Sequence, residues 1–235
     1  MTTTSQTDYA IATAQIVDAC MRLKLAYRIA PAGIKPITRM GAMIWGEVVP
    51  SRHYGSVDIF LEALETSDTQ EKILVIDNQA RQDEACIGDL IVLEAKNAGI
   101  KSIIVRGLHR DTSDLIDIGL PIFSYGAYPS GPARLDAREP DALASAKFEG
   151  FIVTADDTAF VDDDGVVFVN SMDVEQILEV AKSIRVKERN QSNVAAHGVT
   201  LREQFQFTEY LKKRKDSQDY TFRAHLNSLA KSIEE

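Results

Sequence analysis

The chain has 235 residues, 45% of them hydrophobic and 26% charged, the make-up of one sizeable globular domain rather than of a disordered segment. A formal net charge of −9 argues against a nucleic-acid surface, which needs clustered Lys and Arg, and leaves room for a local basic pocket or an acidic surface that docks onto a basic protein. No apolar run approaches the roughly 18 residues of a membrane span, and the opening MTTTSQTDYA lacks a signal-peptide pattern, so a cytoplasmic protein without a membrane partner is expected.

Residues 1–8 are polar and are expected to fray. From Tyr9 to Leu25, Ile11, Ala14, Ile16, Val17, Cys20, Met21 and Leu23 recur at helical spacing, and Ala30-Pro31-Ala32-Gly33 breaks the pattern. A strand over 42–49 is expected to end at Pro50, with Trp45 in the core, and a short amphipathic helix follows over 57–66. Ile73–Ile76 reads as a buried strand ending in Asp77-Asn78. A helix from Cys86 to Ala98 is closed by Gly99, and a strand follows over Ser102–Val105. Thr112–Ile118 with Gly119 reads as helix, and Pro121–Ser124 as strand. Strand, helix, strand, helix, strand with short connections is a βαβαβ unit, which predicts an α/β fold with a parallel sheet and ligands at the carboxyl ends of its strands.

After residue 149 short strands are expected at 151–154, 158–161 and 166–169, the last two joined by an acidic turn, Asp162-Asp163-Asp164-Gly165. A helix covers 172–188, and two helical pieces follow Gly198, one with Leu201, Phe205, Tyr210 and Leu211, the other with Phe222, Leu226, Leu229 and Ile233. The chain thus divides into a catalytic domain over 1–190 and a helical C-terminal extension over 191–235, whose aromatics call for packing on the domain or a neighbouring subunit. Cys20 and Cys86 both sit in apolar, helix-like surroundings and read as packed, reduced thiols.

The residues that suggest chemistry lie beyond two of the central strands. Gly88-Asp89-Leu90-Ile91 opens one helix, Arg110-Asp111 lies in the next loop, and Asp114 follows three residues later. If Asp111 and Asp114 share a helix face, three carboxylates and one guanidinium converge. Clustered oxygen ligands suit Mg²⁺ or Mn²⁺, and an adjacent arginine suits a substrate carboxylate or enolate oxygen. The same acids could instead be helix-capping and first-turn residues, and on spacing alone capping is the stronger reading.

Asp89, twenty residues, Arg110-Asp111, two residues and Asp114 form a pattern that resembles the D-X20-R-D-X2-(E/D) motif of the RraA-like family. That family includes 4-hydroxy-4-methyl-2-oxoglutarate/4-carboxy-4-hydroxy-2-oxoadipate aldolases, and many of its members carry a demethylmenaquinone methyltransferase label. Asp18-Ala19, Val75-Ile76-Asp77, Gly119–Phe123, Pro129-Ser130-Gly131-Pro132 and Asp163–Val167 resemble further family landmarks, so the likeness spans about residues 10–190. Two stretches depart from it: Arg106-Gly107 stands where relatives often have Asp-Gly, and Asn78-Gln79-Ala80-Arg81 where they have a glycine-rich run.

The resemblance implies a single α/β domain of swivelling β/β/α type and a metal-dependent lyase acting on a small 2-oxo acid. Asp111 would be the metal ligand, Arg110 would stabilise the enolate oxygen, Asp89 would position a metal-bound water and Asp114 would orient the site. The loop at Gly88 and the amides of Leu90 and Ile91 would take the substrate carboxylate. Aldol cleavage to pyruvate and oxaloacetate decarboxylation share an enolate, so one site can serve both. The resemblance also implies a homotrimer or hexamer with an acidic residue from an adjacent subunit, for which Glu188 is a candidate. Arg81 and Arg106 are candidates for a second substrate carboxylate, and His109 for proton transfer. Two other classes remain open: a ribonuclease-regulating binding module, and a sugar-acid hydratase or dehydratase.

Overall fold

The computed structural model describes residues 10–229, so the expected frayed start, Tyr9 and Ile233 lie outside the described residues. In chain order the elements are α1 (Thr13–Leu23), β1 (Tyr27–Ile29), β2 (Lys35–Pro36), β3 (Ile44–Arg52), α2 (Asp58–Thr66), β4 (Ile73–Asp77) and β5 (Ala85–Ile87). They continue with α3 (Asp89–Asn97), β6 (Ser102–Arg106), β7 (Leu108–His109), α4 (Thr112–Ile118) and β8 (Ile122–Ser124). Then come β9 (Ser145–Phe148), β10 (Phe151–Thr154), β11 (Asp157–Asp162), β12 (Gly165–Asn170) and, after a 3-10 turn, α5 (Val174–Ala196). Three helices close the chain: α6 (Leu201–Gln204), α7 (Phe207–Asp216) and α8 (Phe222–Ser228).

The predicted βαβαβ unit is present as β4-α3-β6-α4-β8. It forms the parallel half of a sheet ordered β1-β12-β11-β3-β4-β6-β8-β2, in which β3 joins the parallel half to the antiparallel one. Alternating side chains reveal how the sheet curls. Leu74 and Ile76 pack under α2, α3 and α4, whereas Ile73 and Val75 face Phe148, Val161 and Phe168 inside the curl. On β12, Val166 and Phe168 join that interior, while Val167 and Val169 pack against Ile16 and Cys20 of α1 and Ile177 and Ala181 of α5. Helices therefore cover the curled sheet on both outer sides, and each fully buried Ile, Leu or Phe contributes about 1.5–3 kcal/mol.

Three expectations are corrected. The strand begun at Ile44 runs through Pro50 to Arg52. Arg52 N–H donates away from β4, to Ala142 O at 2.8 Å, and position 50 shares that parity; β11 pairs only with 44–47, so proline there removes no ladder bond. Cys86 lies in β5 rather than in the helix, which starts at Asp89. Trp45 is 41% exposed, stacked on Phe160 at the open side of β3 and beneath Lys101. Both thiols are free and buried, and burial pushes Cys20 up to about 11 and raises Cys86 as well.

The acidic turn forms as expected, with Asp162 opposite Gly165 at the β11–β12 hairpin. Helix α5 continues unbroken through residue 190. The three tail helices pack around one another through Phe205, Tyr210, Phe222 and His225, the last donating from Nε2 to Phe205 O over 2.8 Å. No helix among the described residues is long and apolar enough to cross a membrane.

Candidate functional site

Two very short strands set the motif's geometry. β5 and β7 run parallel beyond the ends of β4 and β6, and Arg110 N–H donates to Ile87 O at 3.0 Å. Asp89 follows the first of these strands and Arg110 the second. The twenty-residue spacing is therefore the length of α3, β6 and their connections, and it returns the chain to its own neighbour.

Asp111 decides between capping and chemistry. It occupies the N-cap position of α4 in the left-handed region, at φ 60°, and its side chain makes no capping hydrogen bond. A non-glycine residue held there costs about 1–3 kcal/mol, and such strain gathers at functional sites. The carboxylate is turned back toward Gly88, with Arg110 Nε 3.4 Å from Oδ2. A Cβ on Gly88 would collide with Asp111 Oδ2 and press on Arg110 Nε at 3.2 Å, and one on Gly131 would lie 3.0 Å from Arg110 Nη1. Glycine at both positions keeps the space that the arginine and aspartate occupy.

Because Gly88 is the N-cap of α3, no side chain accepts from the first N–H groups of that nine-residue helix, which include those of Leu90 and Ile91. Those amides border a cleft of about 210 Å³ that Gly88, Asp89, Arg110 and Pro132 also line. The loop landmark 129–132 thus has a place: Pro132 forms one wall, and Ser130 O accepts from Ala85 N at 2.8 Å.

The expected convergence of three carboxylates is corrected. Among the described residues no three His, Cys, Asp or Glu side chains stand close enough to hold a metal together. Asp111 is outside helical geometry, so the three-residue rule does not bring Asp114 onto its face, and Asp114 is exposed on the first turn of α4. The donor set nevertheless suits an ion such as Mg²⁺, which takes one or two carboxylates and keeps several waters: Asp111 offers a solvent-open carboxylate not used for capping, against Arg110, and half-buried Asp89 lines the cleft that Arg110 borders.

The remaining candidates lie elsewhere. His109 is buried, with Nδ1 at 2.7 Å from Ser124 Oγ and Nε2 at 3.1 Å from Thr112 Oγ1, and burial lowers its pKa. It holds the turn before Arg110 and has no nitrogen open to the cleft. Arg81 pairs with Asp83 at 2.6 Å and Glu84 at 3.5 Å. Arg106 pairs with Asp77 at 3.0 Å on a different cavity. Glu188 of this chain accepts from Gln15 at 2.8 Å in the α1–α5 layer.

Sequence reasoning missed a buried charged network behind the site. Arg134 donates to both oxygens of Glu84 and, at 3.0 Å, to Asn78 Oδ1. His53 Nδ1 lies 2.9 Å from that same oxygen, and burial lowers the His53 pKa. Glu84 and Arg134 stand 50 residues apart, so no local pattern signals them. The Asn78–Arg81 departure also acquires a physical meaning: Gln79 and Ala80 both sit at positive φ, 55° and 56°, where glycine would be unstrained.

Comparison with known proteins adds the following. A family model described as RraA-like, Aldolase/RraA, matches residues 13–168. An uncharacterised protein, MJ0644 of Methanocaldococcus jannaschii, is 25% identical over 172 residues, 73% of this chain and 82% of that protein. A Shewanella oneidensis protein named "Putative 4-hydroxy-4-methyl-2-oxoglutarate aldolase" is 30% identical over 94 residues, 40% of this chain and 57% of its own length. The solved structure of Streptomyces coelicolor RraAS2, described as an unusual member of the RNase ES inhibitor RraA protein family, superposes with a TM-score of 0.62. It covers 80% of this chain and 92% of RraAS2 at 21% identity, a likeness of fold.

Proposed function

The chain belongs to the RraA-like family, and from that premise we propose that it is a divalent-metal-dependent lyase that cleaves a C–C bond of a small 2-oxo acid. The carrying observation is Asp111: a strained backbone that forgoes capping in order to set a carboxylate against Arg110 beside an open cleft. The aldolase name of the Shewanella relative supports the reaction class. Likeness to RraAS2 supports a ribonuclease-regulating role instead, but that role gives the strained Asp111 nothing to do.

In this reading Asp111 would hold Mg²⁺ or Mn²⁺, with Asp89 acting through water and Asp114 orienting the turn from the start of α4, and the ion would supply Lewis acidity to the 2-oxo acid. The free N–H groups of Leu90 and Ile91, at the positive end of α3, take the substrate carboxylate. Arg110 faces the 2-oxo oxygen. A base removes the C4 hydroxyl proton, the C3–C4 bond breaks, and its electron pair moves toward C2 as an enolate whose oxygen Arg110 stabilises. Asp89 positions the water that carries the proton, and protonation at C3 releases pyruvate. Oxaloacetate loses CO₂ through the same enolate.

We also propose a homo-oligomer, trimeric or hexameric. Leu90 at 75% exposure and Val57 present an apolar border to the cleft that a second copy would cover, and Glu188 of that copy is the candidate acid. The test is pyruvate release from a panel of 4-hydroxy-2-oxo acids and CO₂ release from oxaloacetate with Mg²⁺ present. Activity should require the metal and collapse in Arg110→Ala and Asp111→Ala. Activity indifferent to metal and to both substitutions refutes the lyase.

A further inference from the structure

A cavity larger than the motif cleft lies elsewhere in the molecule. A space of about 400 Å³ opens at the carboxyl ends of β3, β4 and β6, lined among others by Arg52, Asp77, Gln79, Arg106, Glu139 and Lys147. This is where parallel α/β sheets collect ligands, and the size is that of a small-molecule site. It shares no lining residue with the motif cleft. The turn over 53–57 stands between them, with Tyr54 on one side and Val57 on the other.

The charges of this cavity are paired with one exception. Arg52 is held by Glu139 at 2.5 Å and Asp141 at 3.3 Å, Arg106 by Asp77, and Asp136 by Arg134. Lys147 is exposed and its ammonium has no carboxylate or hydrogen-bond partner among the described residues. The cavity as a whole is neutral, because Arg52 faces two carboxylates, and Lys147 is its one ammonium without a partner of its own among the described residues. Arg106 is oriented by Asp77 through Nη1, while its buried Nε has no hydrogen-bond partner among the described residues. Asp77 itself is fixed by three donors: Arg106, Gln79 N at 2.8 Å and Lys147 N at 3.2 Å. The wall is thus prearranged, and the paired strain at Gln79 and Ala80 lies in the loop that builds it.

We propose that the cavity at the carboxyl ends of β3, β4 and β6 is a second binding site, separate from the motif cleft, for a small hydroxylated monocarboxylate. Lys147 and Arg106 take the carboxylate. The oxygens of Asp77, Glu139 and Gln79 accept from the hydroxyls, which an acceptor-rich polar wall favours over an apolar ligand. One unpaired ammonium offers a single carboxylate its partner, whereas a phosphate dianion would bring a second charge with none.

The proposal is tested by titration calorimetry with D-gluconate as probe, on the full chain without added metal, so that it stands or falls independently of the lyase reading. Gluconate should bind saturably, and Lys147→Ala, an exposed substitution that leaves the fold intact, should weaken it about ten- to hundredfold. Arg106→Lys should weaken it too, while the Arg110→Ala/Asp111→Ala double variant should bind as the wild type does. No binding, binding unchanged by Lys147→Ala, or binding lost in the double variant overturns the proposal. So does glucose or inorganic phosphate binding as tightly as gluconate.

Discussion

The molecule holds two charged regions that its backbone treats oppositely. Around Glu84, Arg134, Asn78 and His53 the charged pair is tightly held, with Arg134 bonded to both Glu84 oxygens and to Asn78 Oδ1 and the Glu84 side chain only 3% exposed. In the motif cleft Arg110 is 48% and Asp111 34% exposed, and the one ion pair between them is 3.4 Å long. The first region fastens the loop over 78–84 to the segment at 134 and so to the sheet. The second is held open at the expense of a left-handed aspartate. Charges that stabilise are saturated, and charges reserved for a ligand are not.

The contrast is broken most severely at Arg134. Arg134→Ala leaves buried Glu84 with only the more distant Arg81, 3.5 Å away, and should lower unfolding free energy by about 3 kcal/mol in urea titrations. Arg110→Ala should change stability by less than about 0.5 kcal/mol while reducing lyase turnover about 10²–10³-fold. Equal stability losses for the two would erase the distinction.

Titration sharpens it next. His53 and His109 are both buried and both held below the ordinary histidine pKa. Below about pH 6.5 the unfolded chain binds protons that the folded chain refuses, so ν_U exceeds ν_N and stability rises with pH. Full stability is present above that value and is lost as pH falls toward the folded pKa values, by up to about 1.4 kcal/mol per pH unit for each histidine. Urea midpoints between pH 8 and pH 5 should fall accordingly, and His53→Gln should flatten the slope; a flat wild-type profile would remove the buried-neutral assignment.

The smallest effect is the most pointed. Asp111→Gly relieves the left-handed strain and should raise stability by about 0.5–1 kcal/mol, net of glycine's entropy, while abolishing lyase activity. A loss of stability would mean that the carboxylate serves the fold after all.

Much of this was legible in the sequence. The βαβαβ unit announced itself because Leu74, Ile76, Ile103 and Val105 lie in continuous apolar runs between helical periods, and the Asp162–Gly165 turn because glycine closes an acidic hairpin. The motif's residues were readable, their arrangement was not. β5 and β7 have three and two residues, too short for any period, and Ala85-Cys86-Ile87 merges with the apolar start of α3. The left-handed turn of Asp111 leaves no mark in residue type, and Lys147 and Arg106 reach the same cavity from strands 41 positions apart only through the curl of the sheet.

The central claim is that Arg110 and Asp111 stabilise an enolate, and the most direct measurement is exchange of the pyruvate methyl protons for deuterium, followed by proton NMR in D₂O with Mg²⁺ present. It requires no knowledge of the natural substrate. The wild type should speed exchange well above the rate in buffer with Mg²⁺ alone, Arg110→Ala and Asp111→Ala should return it to that background, and Lys147→Ala should leave it unchanged. Exchange at the background rate in the wild type, or acceleration that survives both motif substitutions, would contradict the account.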